Sequence, residues 1–442
     1  MEHEERGWLR SILEWLGIIV VFAIILGIIG GSIYVLGRPY IQRWLGARVV
    51  VGNRIVYVGT DGNIYTVRPD GQQRTAITKD AEPGKRLYDF PTWAPDGRHL
   101  AFVGGERLGE DEVSFTLYVV PAVGGRRVRL YSSAESSPFY LYWAPDGQRL
   151  GFLTAGSQGE GLALRWAAAD GKGPSRILAR GGPLFWSWSP DGRRILLHAG
   201  GSRRENPEAK LTLLAVAEGE ASRDLAEAPA DFQAPAWASL GDRLLIAAWG
   251  AEGQEGLLAR GVEDGSPPRR LVPLAENGAI AFVVSPKGDQ VAYITAEPAD
   301  GTIYGPLRVV GLDGSEPRRL VDDTVLGFFW SPNGERIAYF TLARVGRSEE
   351  ESQVELVLSV VNVADGQTKA LGTYLPTPDF INIMPYFDQY AQSATPWAPD
   401  SRHFVISQVD RDATQNIVVV DTLGEKEPRF IAEGTLAWWS WK

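Results

Sequence analysis

A serine hydrolase needs its nucleophile on a tight strand-to-helix elbow. The nearest approach to Gly-x-Ser-x-Gly in these 442 residues is Ala155-Gly156-Ser157-Gln158-Gly159, whose glycines stand in the wrong places, so it reads as a loop between strands. Only four histidines are present. His99 and His403 occupy the same place just after a recurring turn, which makes them strand starts in separate repeats. His198 closes an apolar strand with no acid or nucleophile in phase with it, so no triad assembles. Neither Gly-x-Gly-x-x-Gly nor a Gly-x4-Gly-Lys-Ser/Thr phosphate loop occurs. Cysteine is absent, which removes disulfides, thiolate zinc sites, iron–sulfur ligation and cysteine nucleophiles together. The acidic runs Glu110-Asp111-Glu112 and Glu349-Glu350-Glu351 lack the alternating oxygen spacing of a calcium loop and read as solvated tips. With 44 Lys and Arg against 54 Asp and Glu, the net charge of −10 argues against a sequence-independent nucleic-acid binder. The expectation is therefore no catalytic residue, no cofactor and no metal.

What positions these residues is a repeat. WAPDGRHLAF begins at Trp93, WAPDGQRLGF at Trp143 and WSPDGRRILL at Trp188. Weaker copies begin at Trp237, Val284 and Trp330, and a seventh, WAPDSRHFVI, at Trp397. Most starts fall 45 to 50 residues apart, a period that means a solenoid or propeller. Inside each copy proline fixes φ, the next residue forms an Asx-type hydrogen bond, and glycine accepts positive φ. The repeated aspartates Asp96, Asp146, Asp191 and Asp400 are thus turn formers. Polar-polar-apolar-x-apolar follows, the alternation of a half-buried strand. Two further strand-like runs, such as Leu117–Val120 and Val128–Leu130, complete four strands per repeat.

The two ends supply an eighth copy in halves. Trp439-Ser440-Trp441 matches Trp186-Ser187-Trp188, and Gly52-Asn53-Arg54-Ile55-Val56-Tyr57 matches Gly192-Arg193-Arg194-Ile195-Leu196-Leu197. The fold expected is all-β: an eight-bladed β-propeller over residues 49–442, closed by pairing of N- and C-terminal strands so that no edge is exposed. Ahead of it, Trp15 to Gly37 form 23 uncharged residues. As a helix they would reach about 34 Å, enough for a hydrocarbon core of about 30 Å. The segments expected are an N-terminal tail (1–11), a transmembrane anchor helix (12–37) in the bilayer and a juxtamembrane linker (38–48). Gly27 and Gly31 form the Gly-x-x-x-Gly spacing that lets a second helix pack closely, although glycine is common in membrane helices anyway.

The decamers look like the TolB-type propeller repeat, a WD-like motif reading Trp-Ser-Pro-Asp-Gly before a strand, over roughly residues 50–442. That resemblance implies fold far more than function. TolB proteins pair a six-bladed propeller with a separate α/β domain, and no such domain fits here, so their partners are not carried over. Eight blades behind an N-terminal anchor also resemble the dipeptidyl-peptidase family, whose propeller gates an α/β-hydrolase domain; that domain is expected to be missing. Three arginines follow the anchor and two precede it (Arg38, Arg43 and Arg48 against Arg6 and Arg10), which favours a cytoplasmic propeller by one residue. The resemblance implies the opposite, and the propeller is expected outside a single-pass cell-membrane anchor.

One interval breaks the period. From Trp330 to Trp397 the surplus falls in residues 375–390, on the side away from the Pro-Asp-Gly turns. Read as a loop, it offers Phe380, Ile381, Met384, Tyr386, Phe387 and Tyr390 as partner contacts. The competing readings have its aromatic residues capping the channel or packing on a neighbouring blade, or the segment serving as a lid over a small ligand. The function expected is a non-enzymatic, membrane-tethered interaction platform or accessory subunit beside other membrane proteins. A sensor taking a small molecule, glycan or peptide in the channel is the alternative.

Overall fold

A computed structural model describes residues 52–442 except 111, 156–160, 217–218, 239–240, 251–254, 264–266, 276–277, 297–301 and 344–353. The anchor expected over 12–37, with Gly27 and Gly31, lies outside the described residues. Within them, no helix is long and apolar enough to cross a membrane.

The chain is nearly all β, laid down as successive antiparallel meanders. Arg86–Trp93, His99–Arg107, Val113–Pro121 and Val128–Ser133 make one four-stranded sheet; the next two repeats begin at Pro138–Trp143 and Leu184–Trp188 and do the same. Each turn behaves as its composition demands. The carboxylate of Asp96 accepts from Arg98 N at 2.8 Å, and Asp146 and Asp400 accept from the amides two residues on at the same distance. Gly97 and Gly192 sit at φ 67° and 69°. In the last copy Ser401 holds that left-handed place at φ 56°, and its hydroxyl accepts from Asn333 N at 3.0 Å.

The regular picture fails in two places. The strand expected to begin the repeat at Trp237 is broken into Ala228–Pro229 and Ala236–Trp237, both pairing with Arg243–Trp249. Prolines at 229 and 235 lack the amides a ladder needs, so the chain between them loops out. Further on, the 13-residue strand Arg318–Trp330 pairs on both sides and links two repeats into one path, and Thr368–Pro376 does so again through Leu375 and Pro376. The result is one continuous ten-stranded run where separate sheets were expected. At the other end of the chain, Leu436–Trp439 pairs antiparallel with Ile55–Val58, but two residues from the expected register. Ile55 stands opposite Trp439 as Ile195 stands opposite Trp188, so Trp439 and not Trp441 holds the place of the repeat tryptophan.

Five of the recurring tryptophans couple one repeat to the one before; the buried indole N–H of Trp143 has no partner among the described residues. Trp188 donates its indole N–H to Tyr142 O (3.2 Å), Trp237 to Ser187 O (3.2 Å), Trp330 to Val283 O (3.1 Å) and Trp397 to Phe329 O (2.9 Å). Trp93 donates to Trp438 O at 3.3 Å. Each acceptor lies one residue before the matching position of the preceding repeat. The ring itself is buried in every case, so one side chain supplies both apolar area and register.

Candidate functional site

Residues 377–394 are not a loop. Thr377 caps a helix α1 (Pro378–Ile383), its hydroxyl accepting from Phe380 N at 3.3 Å. A 3₁₀ turn, Met384–Tyr386, leads into a second helix α2 (Phe387–Ser393). The start signal was present in the sequence as Thr before Pro-Asp, a good N-cap with proline at the first helical position and an acid in the first turn.

Inner strands of six repeats converge on this insert. Gln389 behaves as an extra residue of β-ladder: its side-chain oxygen accepts from Trp186 N at 3.0 Å and its amide donates to Trp186 O at 2.7 Å. Tyr140 donates its hydroxyl to Gln389 O at 2.8 Å. Asp388 accepts from Ala234 N at 3.0 Å, and Gln392 donates to Pro235 O at 3.1 Å, inside the interrupted strand. The Thr92 hydroxyl donates to Ser393 O at 3.0 Å. Phe387 packs on Phe328 at 4.8 Å between ring centres, and Tyr390 stacks on Trp438 at 6.2 Å. Gly327 lets this happen: a Cβ there would come within 2.7 Å of the Met384 methyl.

That corrects the expectation for three proposed contacts. Phe380, Met384 and Phe387 are buried in the insert's own core, Phe387 completely, because the inner strands offer a larger apolar surface than water does. Ile381 and Tyr390 are partly buried against the same core. Tyr386 alone of the six is exposed, at 46%. The capping reading describes these residues.

Beside the insert lies a cavity of about 430 Å³. Two carboxylates line it, Asp89 from the inner strand Arg86–Trp93 and Asp379 from the first turn of α1. Asp89 accepts from Phe90 N at 2.7 Å; Asp379 has no hydrogen bond or ion pair among the described residues. Phe90, Phe139, Phe185, Tyr386 and Tyr390 supply aromatic wall. Two wall residues come from bulges: the register slips between Asp89 and Thr92 and between Phe139 and Leu141, with Phe90 and Tyr140 at φ 54° and 45°. A bulge turns a side chain out of the pleat, here toward the cavity. Burial raises the Asp89 carboxyl to about 6, and the charge of Asp379 adds to the effect. Burial holds the Tyr140 and Tyr390 phenols well above their ordinary range, so they stay neutral.

Other groups singled out by type are structural. His198 is buried, stacked on Phe232 at 4.0 Å, with ring nitrogens 3.2 Å from Gln233 O and 3.0 Å from Gly201 O; burial lowers its pKa. His99 and His403 lie against the turn carboxylates Asp96 and Asp400. Residues 156–160, Asp111 and Glu349–Glu351 lie outside the described residues. Among the described residues no group of three His, Asp or Glu is arranged for a metal. A larger groove of about 980 Å³ opens on the turn side, but Arg193 and Arg194 there are bound to Glu220 and Glu263. Asp89, Asp379, Asp388 and Gln389 were not picked out from sequence. A charged residue four before the repeat tryptophan, set between Tyr88 and Phe90, was the available signal for Asp89.

No protein-family model matches the chain. A stretch of 93 residues is 31% identical to the Tol-Pal system protein TolB of Alcanivorax borkumensis, covering 20% of this chain and 19% of that protein, about a fifth of its length. Among solved structures, TolB from Acinetobacter baumannii aligns over 74% of this chain and 81% of its own at 14% identity, TM-score 0.39. Oligogalacturonate lyase from Vibrio parahaemolyticus aligns over 84% and 98% at 12% identity, TM-score 0.49. The β-propeller domain of the Trilobed protease from Pyrococcus furiosus aligns over 80% and 99% at 13%, TM-score 0.44. The decamers, the repeated meanders and the local TolB match together make this a TolB-like β-propeller.

Proposed function

We propose that the protein is a non-enzymatic interaction platform: an eight-bladed propeller, closed by the pairing of Leu436–Trp439 with Ile55–Val58, tethered by residues 12–37 and held on the extracytoplasmic side of the cell membrane. Counting each of the five separate sheets as one blade and the ten-stranded run, which includes the copy at Val284, as three supports eight. The observation that carries the interaction reading is the insert. It occupies the inner strands' polar edges with its own side chains, which leaves recognition to the faces. On the insert side, strand ends and loops expose Leu87, Leu108, Leu342 and Val354 together with Tyr386. Exposed apolar residues on the loops of a rigid sheet assembly suit a protein partner.

The test is extraction of the full-length protein from its native membrane in mild detergent, with mass spectrometry of what co-migrates. A stoichiometric set of membrane subunits, lost in a Leu108→Asp/Leu342→Asp variant that remains folded, is the expected result. A lone monomer would overturn the reading. Deleting 375–390 is unsuitable, because it removes core.

A further inference from the structure

We infer that the cavity between α1 and the inner strands is a binding site for an organic cation, an ammonium or quaternary ammonium group held between aromatic faces and the carboxylates of Asp89 and Asp379. The argument begins from charge. The cavity is lined by two carboxylates and by no Lys, Arg or His. One carboxylate has a single backbone hydrogen bond, and the other has none among the described residues. The neighbouring cation Arg86 is directed elsewhere, to Asp80 and Glu106. Two like charges facing one small space with no counter-ion repel, and a cation entering between them removes that cost.

The walls say which kind of cation. Phe90, Phe139 and Phe185 are only half-buried, so part of each ring is left to the cavity, and Phe185 and Tyr386 lie 6.5 Å apart. A ring face attracts a cation that has already shed water, which ammonium groups carrying alkyl substituents do readily. A hydrated divalent metal wants six or more oxygen ligands, and here the side-chain oxygens available are those of two carboxylates, the Asn382 and Gln389 amides and tyrosine hydroxyls amid apolar wall. About 430 Å³ suits a small molecule or one long side chain.

This inference goes beyond the platform reading and fails separately from it. The full-length protein in detergent is titrated by calorimetry with choline, with its neutral isostere 3,3-dimethylbutanol, with an acetylated peptide bearing one trimethyl-lysine, and with calcium. Choline should bind, and the isostere should bind at least about tenfold more weakly, equivalent to 1.4 kcal/mol. Asp379→Asn, a change at a partly exposed helix start that disturbs no recorded hydrogen bond, should weaken choline about tenfold, and Tyr386→Ala severalfold. Lowering the pH from 7.5 to 5 should weaken it too, because Asp89 takes up a proton; Asp89→Asn should abolish most of that pH effect. The other titratable groups facing Asp89 are Asp379 and the phenols of Tyr140, Tyr386 and Tyr390. Choline binding without the peptide assigns a free small cation; peptide binding displaced by choline assigns a partner's side chain. Equal binding of choline and its isostere, preference for calcium, or no choline binding by the folded protein would each overturn the inference.

Discussion

At the scale of the residue, Asp388 carries the clearest energetic signature. It is buried, and although it accepts from the amides of Ala234 and Gln389, burial pushes its carboxyl up to about 7. A carboxyl raised above its unfolded value near 3.9 binds more protons folded than unfolded between those limits, so its contribution to stability falls as pH rises from about 4 to about 7. Asp388→Asn removes the charge but keeps only one of the two accepting oxygens, a loss that does not depend on pH. Its melting temperature relative to the parent's should therefore rise by several degrees between pH 4.5 and pH 8, a relative gain of at most about 4 kcal/mol from three pKa units. Thermal melts at the two pH values, read as a difference between variant and parent, check this. Trp397 makes a second residue-scale case. Its indole N–H reaches Phe329 O and its ring is fully buried, so Trp397→Phe should cost about 2–3 kcal/mol through an orphaned carbonyl and a small void.

The insert is the element on which the site depends. Gln389 reproduces a backbone pair with Trp186, and its loss leaves both polar groups of a buried strand unsatisfied. Gln389→Leu should therefore destabilise by about 2–4 kcal/mol in chemical denaturation, the cost of two stranded buried groups. Gln389→Glu should be as harmful or worse, since it turns an oxygen toward Trp186 O. Gly327 is a second contact point. Gly327→Val forces the Met384 methyl away from the strand and should lower stability by about 1–3 kcal/mol, as overpacking does. Thr377, Pro378 and Asp379 announced helix α1 in the sequence, but the aromatic density of residues 380–390 read more strongly as contact surface. Aromatic side chains serve either role, and type alone does not separate them. Asp388 and Gln389 were less legible still, because a polar residue on a short helix becomes a ladder partner only when a strand edge is brought to it.

For the whole molecule, the pairing of Leu436–Trp439 with Ile55–Val58 is the consequential contact, since it hides the edges of both. Ending the chain after Gly434 would leave Ile55–Val58 unpaired on one side. Such a protein should associate or aggregate on size-exclusion chromatography and lose a single cooperative unfolding transition. The repeat itself, its Asx turns and its strand alternation were readable from sequence, because each is set by neighbours within a few residues and recurs in phase. The pairing of the two ends was readable too, but two residues out of register, since the Trp-x-Trp spacing at the C-terminus fits either of two alignments. Tertiary structure decided the rest. Asp89 and Asp379 stand nearly three hundred residues apart, and Gln389 meets Trp186 across 203. No local pattern encodes such meetings. They follow from inner strands converging around one insert, where apolar burial fixes the helices and leaves their polar side chains to satisfy whatever backbone they face.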